Sequence, residues 1–297
     1  MRINAKDNFF GLTLSRGQDL VVVGIPWDRT SSYRQGAASG PDYIRRATSS
    51  LLYNQSTERG DDLTRLWRIC DHGNVRIPKQ PAGLFKAIYS TVVRHNHDGS
   101  PMLFLGGDHF ATYPAFRVVS ELRRKQLSLL YFDAHPDLYP KYEGALYSHA
   151  TVVSRILEDR ETSSGTVCYV GIRASTAEQE KRVKALNLTE YTTQDVYAKG
   201  CEAISSIVRE ELSGNPVYVS IDLDCLDPAY APGVGNPQPG GLTTRQLIDL
   251  LHGLDGLEIF GCDVVEYSPP CESKTRTTAF AAAILIKELL GIIRPSK

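Results

Sequence analysis

The sequence predicts an α/β protein of three layers, helix on sheet on helix, around a mostly parallel, doubly wound sheet of about eight strands. Three observations lead there. Short apolar, β-branched runs recur along the chain, and they are nearly continuous rather than alternating, as in strands covered on both faces. Segments of helical periodicity lie between them, which makes βαβ units and a parallel sheet. The 297 residues are 42% hydrophobic and 23% charged, an ordinary globular balance in a chain long enough to bury a large core.

In chain order, the strand runs are LVVVGI at 20–25, PMLFLG at 101–106, LSLLYF at 127–132, VCYVGI at 167–172, VYVSID at 217–222 and LEIFGCDVV at 257–265. ICDHG at 69–73 and LNLTEY at 186–191 are weaker candidates. Helical patterns fall at 83–94, 112–125, 150–157, 202–212 and 243–254, the last opening on Thr243 and Thr244 as an N-cap. A final amphipathic helix is expected from about 274 to 290. No linker, low-complexity run or repeat divides the chain, so residues 1–297 read as one domain.

Composition removes several function classes. Lys and Arg number 33 against 34 Asp and Glu, a net charge of −1, which excludes a nucleic-acid binder held by bulk charge. The six cysteines, at 70, 168, 201, 225, 262 and 271, form no C-x-x-C pair, so neither a zinc ribbon nor a disulfide scaffold is expected. The first residues lack the apolar core of a signal peptide. The most apolar stretch, 279–286, is far shorter than the ~20 residues a membrane span needs. A cytoplasmic protein with reduced thiols and no membrane partner is expected.

Ligands of open α/β sheets bind at the carboxyl ends of the strands. Three of those ends carry acids or imidazoles: Gly107-Asp108-His109, Asp133-Ala134-His135-Pro136-Asp137, and Asp222-Leu223-Asp224. In extended backbone, alternate residues point the same way, so Asp133, His135 and Asp137 would converge, as would Asp222 and Asp224. Any one of these acids alone reads more readily as a turn or helix cap. Three such ends in one sheet do not. Packed carboxylates raise each other's pKa unless cations compensate, and two divalent ions carry +4 against the −4 of four carboxylates. Imidazole and carboxylate donors without thiolate favour Mn2+.

These blocks resemble the ureohydrolase family of arginases and agmatinases: GGDH at 106–109, DAHPD at 133–137, SIDLDCLDP at 220–228 and Glu266 in DVVEYSP. The resemblance runs from GIPWDRTSSYRQGAASGP at 24–41 to the C-terminal helix. It implies an arginase-like fold, two Mn2+ per subunit that activate water, and hydrolysis of a guanidinium group to urea and an amine. It also implies that His109 and Asp137 bind one metal, His135 and Asp224 the other, and Asp133 and Asp222 both. Glu266 would hold the guanidinium through paired hydrogen bonds, and His149 would shuttle protons. A homo-oligomer, trimer or hexamer, is implied as well.

The resemblance leans towards agmatinases. Tyr139 stands where arginases tend to carry an Asn that grips the amino-acid head of arginine. The 24–41 block and Pro114 are agmatinase-like, whereas Asn236, in the agmatinase-like 231–243 loop, stands where many relatives have Thr, and Ala150 replaces a common Gly. Agmatine is the expected substrate, with aminopropylagmatine, guanidinobutyrate or formimino compounds as alternatives. A single-zinc deacetylase of the same fold, or a non-catalytic binding protein, are the readings from other classes. The remaining histidines are assigned no chemistry; His95 and His97 read as solvated capping residues. Gly106 and Gly107 are expected to make a tight turn, and Cys225 to pack.

Overall fold

The computed structural model describes residues 9–14, 20–49, 54–94, 99–159, 165–272 and 274–294. Its strands are β1 (Thr13–Leu14), β2 (Leu20–Ile25), β3 (Arg68–Asn74), β4 (Met102–Gly106), β5 (Ser128–Phe132), β6 (Val167–Ile172), β7 (Thr189–Thr192), β8 (Val217–Asp222) and β9 (Ile259–Val265). Every pairing among them is parallel, and the order across the sheet is β1-β3-β2-β4-β9-β8-β5-β6-β7. The six strong runs and both weaker ones are strands. The ninth, β1, is a two-residue edge too short to show in a pattern.

Helices cover both faces. On one lie α1 (Gly40–Ala47), α2 (Leu63–Leu66), α7 (Thr193–Lys199), α8 (Cys201–Leu212), α9 (Thr244–Gly253) and α10 (Thr277–Ile292). On the other lie α3 (Leu84–Val93), α4 (Thr112–Arg123), α5 (Val152–Glu158) and α6 (Ala177–Ala185). Strand β2 shows how the runs feed both layers: Leu20 and Val22 join the first core, and Val21, Val23 and Ile25 the second. Period-two geometry sends alternate side chains to opposite faces, and both faces are apolar.

Local chemistry sets the helix ends. Thr243 caps α9 in a reciprocal pair: Gln246 N–H donates to Thr243 Oγ1 at 3.1 Å and Thr243 N–H to Gln246 Oε1 at 2.9 Å. Helix α10 starts at Thr277, later than periodicity suggested, because Arg276 adopts a left-handed φ of 54°. It is also not amphipathic. Even Lys287 and Glu288 are buried, and Glu288 takes Glu58 N–H and His252 Nε2. Burial on all sides removes the helical polar stripe. Among the described residues no helix is long and apolar enough to cross a membrane.

Candidate metal centre

The four central strands, β4, β9, β8 and β5, are neighbours, and each delivers polar side chains to the same carboxyl edge. His109 follows β4, Glu266 follows β9, Asp222 ends β8, and Asp133 follows β5. The order of connection reverses between the neighbours β8 and β5, since the chain leaves β5 towards β6 and leaves β8 the other way, towards β9; such folds open a crevice at that point.

The acids converge, but not by strand alternation. Strand β5 stops at Phe132, and Asp137 reaches inward from a left-handed φ of 45°. Asp222 is the last residue of β8, and Leu223–Cys225 forms a 3₁₀ turn. Asp222 therefore does two things: Oδ1 caps that turn by accepting Asp224 N–H at 2.7 Å, while Oδ2 lies 2.9 Å from His109 Nδ1. The cap reading and the ligand reading describe two oxygens of one carboxylate.

His109, Asp133 and Asp137 each offer a donor atom within 4.8 Å of the others, and Asp133, His135 and Asp224 do the same. His109 Nδ1 lies 2.9 Å from Asp133 Oδ2, 2.9 Å from Asp222 Oδ2 and 3.4 Å from Asp137 Oδ2. His135 Nδ1 lies 3.4 Å from Asp133 Oδ1 and 3.1 Å from Asp224 Oδ2. Asp133 thus turns one oxygen to each histidine. A single imidazole nitrogen cannot satisfy three carboxylate oxygens, and Asp133 Oδ2, fully buried, receives no well-aligned hydrogen bond. This donor set, all nitrogen and oxygen, fits a pair of hard divalent cations.

Charge is out of balance without cations. Burial pushes the carboxyls of Asp137, Asp222 and Asp224 up, and neighbouring carboxylates add to it. His135 is pushed up to about 12: burial opposes this, but Asp224 and Asp133 outweigh it. Burial likewise opposes ionisation of Asp133, yet His109 and His135 hold it below the usual range.

A layer of residues beneath the cluster fixes these ligands, and sequence reading missed it. Ser220, on β8, gives its hydroxyl proton to Asp263 Oδ1 at 2.7 Å, so its oxygen accepts His109 Nε2–H at 2.9 Å. That leaves the lone pair of His109 on Nδ1, the atom facing the acids. Tyr131 stacks on the His109 ring at 4.5 Å and donates its hydroxyl to Asp137 Oδ2 at 2.9 Å. Their signal was available in strand parity: Tyr131 lies two residues before Asp133 and Ser220 two before Asp222, on the same strand face. Gly107 sits in a bend without a positive φ; a Cβ there would lie 1.9 Å from Trp27 O, so the residue is small because two segments of the chain touch.

Glu266 lies beside the cluster, 5% exposed, with Oε1 accepting His109 N–H at 2.8 Å and Oε2 beside Gly235. Burial, with Asp108 nearby, pushes its carboxyl well up. His149 is buried rather than solvated at its helix start: Nδ1 donates to the Thr30 carbonyl and Nε2 lies 3.2 Å from Ser32 Oγ. Both line a cavity of about 450 Å³ over the cluster. Its outer wall is Tyr33, Tyr139, Tyr142, Thr176, Gln179 and Gln238, with Asn236 also in the lining, and among the described residues none that lines it is Arg or Lys.

The other histidines lie elsewhere. His252 pairs with Glu288 at 2.8 Å, and His72 Nε2 is 3.8 Å from Cys70 Sγ. His95 and His97 lie outside the described residues. Cys225 is fully buried, a packing residue whose thiol burial pushes well up.

The arginase family model matches residues 18–291. The chain is 37% identical over 280 residues to a protein named arginase 1, mitochondrial, from Oryza sativa subsp. indica, covering 92% of this chain and 81% of that one. It is 33% identical over 284 residues to a guanidinobutyrase from Pseudomonas aeruginosa, covering 93% and 86%. The crystal structure of a hypothetical agmatinase from Burkholderia thailandensis superposes with a TM-score of 0.83 at 30% identity, covering 96% and 89%.

Proposed function

The chain belongs to the arginase family, hydrolases of carbon–nitrogen bonds in linear amidines, and from that premise we propose that it hydrolyses the guanidinium group of a guanidino-amine, agmatine in the first place, to urea and putrescine. The observation that carries the reaction is Asp133, whose two oxygens face two imidazoles in a set of six donors, all buried except the half-buried His135. His109, Asp137, Asp133 and Asp222 would hold one Mn2+, and His135, Asp224, Asp133 and Asp222 the other. When bound, such a pair supplies a water acidic enough to act as nucleophile near neutral pH.

The protein's own groups do the rest. Glu266 is a buried carboxylate at the cavity floor, and a planar guanidinium matches a carboxylate through two parallel hydrogen bonds. The substrate cation offsets the charge that burial makes costly there. His149 turns Nε2 towards the cavity, where it would take up the proton released by the attacking water and deliver it to the departing amine. Without that proton the leaving group would be an amide anion.

The substrate's far end is argued from the outer wall. Relatives of similar identity carry the names arginase and guanidinobutyrase, so identity does not choose among substrates. With no Arg or Lys among the described lining residues, the carboxylate of an α-amino acid or a guanidino acid meets neither there. A distal ammonium meets the tyrosine rings, which attract cations. The resemblance adds a cytoplasmic homo-oligomer, trimer or hexamer, to this reading, to be checked by light scattering and cell fractionation.

Two assays test the proposal. Metal analysis of protein loaded with Mn2+ should find two ions per chain, and loaded protein should release urea from agmatine. One zinc per chain with release of acetate from an acetylated amine would replace this reading by the deacetylase. Two ions with no urea from any guanidine would leave a binding protein.

A further inference from the structure

Asp108 is the one acid of the GGDH block with no part in the cluster, and it is fully buried. It points instead at the segment between β2 and α1. Thr30 N–H and Thr30 Oγ–H both donate to Asp108 Oδ2, at 2.9 and 2.6 Å, while Phe110 N–H takes Oδ1 at 3.2 Å. Asp108 N–H in turn donates to Trp27 O at 2.6 Å, and Trp27 Nε1–H reaches Thr30 Oγ1 at 3.3 Å. Asp28 ties down the far end of the same segment by accepting Gly36 and Ala38 N–H. Thr30 is therefore gripped through its amide and its hydroxyl, and its carbonyl is left to face His149 Nδ1.

We propose that Asp108 and Thr30 are positioning residues for His149: the carboxylate fixes Thr30, and the Thr30 carbonyl fixes the tautomer and direction of the imidazole. This rests on the reading of His149 as the proton donor. A carbonyl oxygen only accepts, so Nδ1 must carry the proton. The exchangeable position is then Nε2, on the cavity side, with Ser32 Oγ at 3.2 Å. Ser148 Oγ, 3.3 Å from Nδ1, and the edge contact with Tyr142 at 5.7 Å complete the cradle. The arrangement couples the strand end that carries His109 to a histidine on a different strand connection, through one threonine.

The test is a double-mutant cycle on protein loaded with Mn2+, read by kcat, KM and bound metal. Thr30→Val keeps shape and backbone but loses the hydroxyl that Asp108 grips. It should lower kcat about tenfold with KM and metal content unchanged, and Thr30→Ser should keep wild-type kcat. In a His149→Asn background, Thr30→Val should have no further effect, because the group it positions is gone. An equal loss in both backgrounds, a loss of metal, or no loss at all in the parent overturns the inference while leaving the hydrolase reading intact. Wild-type kcat in His149→Asn by itself removes the proton-donor role and the inference with it.

Discussion

The floor and the outer wall of the cavity are built by opposite means. The floor comes from the ends of four adjacent strands, its acids are buried, and three of its six side chains are backed by a further group: Ser220 behind His109, Tyr131 behind Asp137, the Ala134 amide on Asp224. The wall comes from the segments that follow β2, β5, β6 and β8, and its side chains are uncharged and partly open, with Tyr33 73% exposed. A floor of that kind can hold a fixed charge pattern against repulsion, whereas a wall of loops can vary without disturbing it. On the proposed reading the floor sets the class of reaction, and the wall sets which molecule undergoes it. Substitutions in the two regions should therefore move different quantities.

The largest effect should come from Asp133→Ala. Removing the carboxylate that faces both histidines should lower metal content and bring urea release to background, and an active, metal-replete variant would break the distinction at its base. Next comes Glu266→Gln, which keeps size but removes charge. A loss of at least ~100-fold in kcat/KM is expected, in line with about 2–5 kcal/mol for an unpaired buried charge. Metal content should stay constant, since Glu266 is assigned to substrate.

Ser220→Ala sharpens the floor side alone. His109 would lose its Nε2 acceptor, and metal affinity should weaken ~10–100-fold, measured by titration with Mn2+, with the ranking of substrates unchanged. The smallest effect belongs to the wall. Tyr139, whose hydroxyl lies 2.9 Å from Thr176 Oγ1, packs against Tyr142 with ring centres 5.5 Å apart. Tyr139→Leu removes an aromatic face worth about 1 kcal/mol to a cation. It should lower kcat/KM for agmatine by roughly fivefold relative to a guanidine with an uncharged tail, and leave metal binding alone. A shift in metal affinity there would mean that floor and wall are not separate.

Legibility followed the same division. The six strong strands could be read because they are buried on both faces and so apolar almost throughout, whereas β3 and β7 are partly exposed and read more weakly. The floor could be read because acids at strand ends stand out against those runs. Its geometry could not: Asp137 depends on a left-handed residue, and Asp224 on a turn that Asp222 caps, neither visible in a period-two pattern. Ser220 and Tyr131 look like ordinary strand residues until their partners are in place. The burial of His149 could not be read from the sequence, because it depends on Thr30 and Ser32, more than 100 positions away. The wall was the least legible part, since six side chains from four different segments meet there only in the fold. Tyr139 was noticed only through resemblance.

The central claim is that a charged floor hydrolyses guanidines while an uncharged wall admits the amine-ended ones. It is tested most directly by kcat/KM for urea release from agmatine, arginine and 4-guanidinobutyrate, measured on one preparation loaded with Mn2+. Agmatine should exceed both others by at least ~10-fold, because each of them must bury a carboxylate with no counter-charge. Arginine or 4-guanidinobutyrate turned over as well as agmatine would contradict the account of the wall, and urea from none of the three would contradict that of the floor.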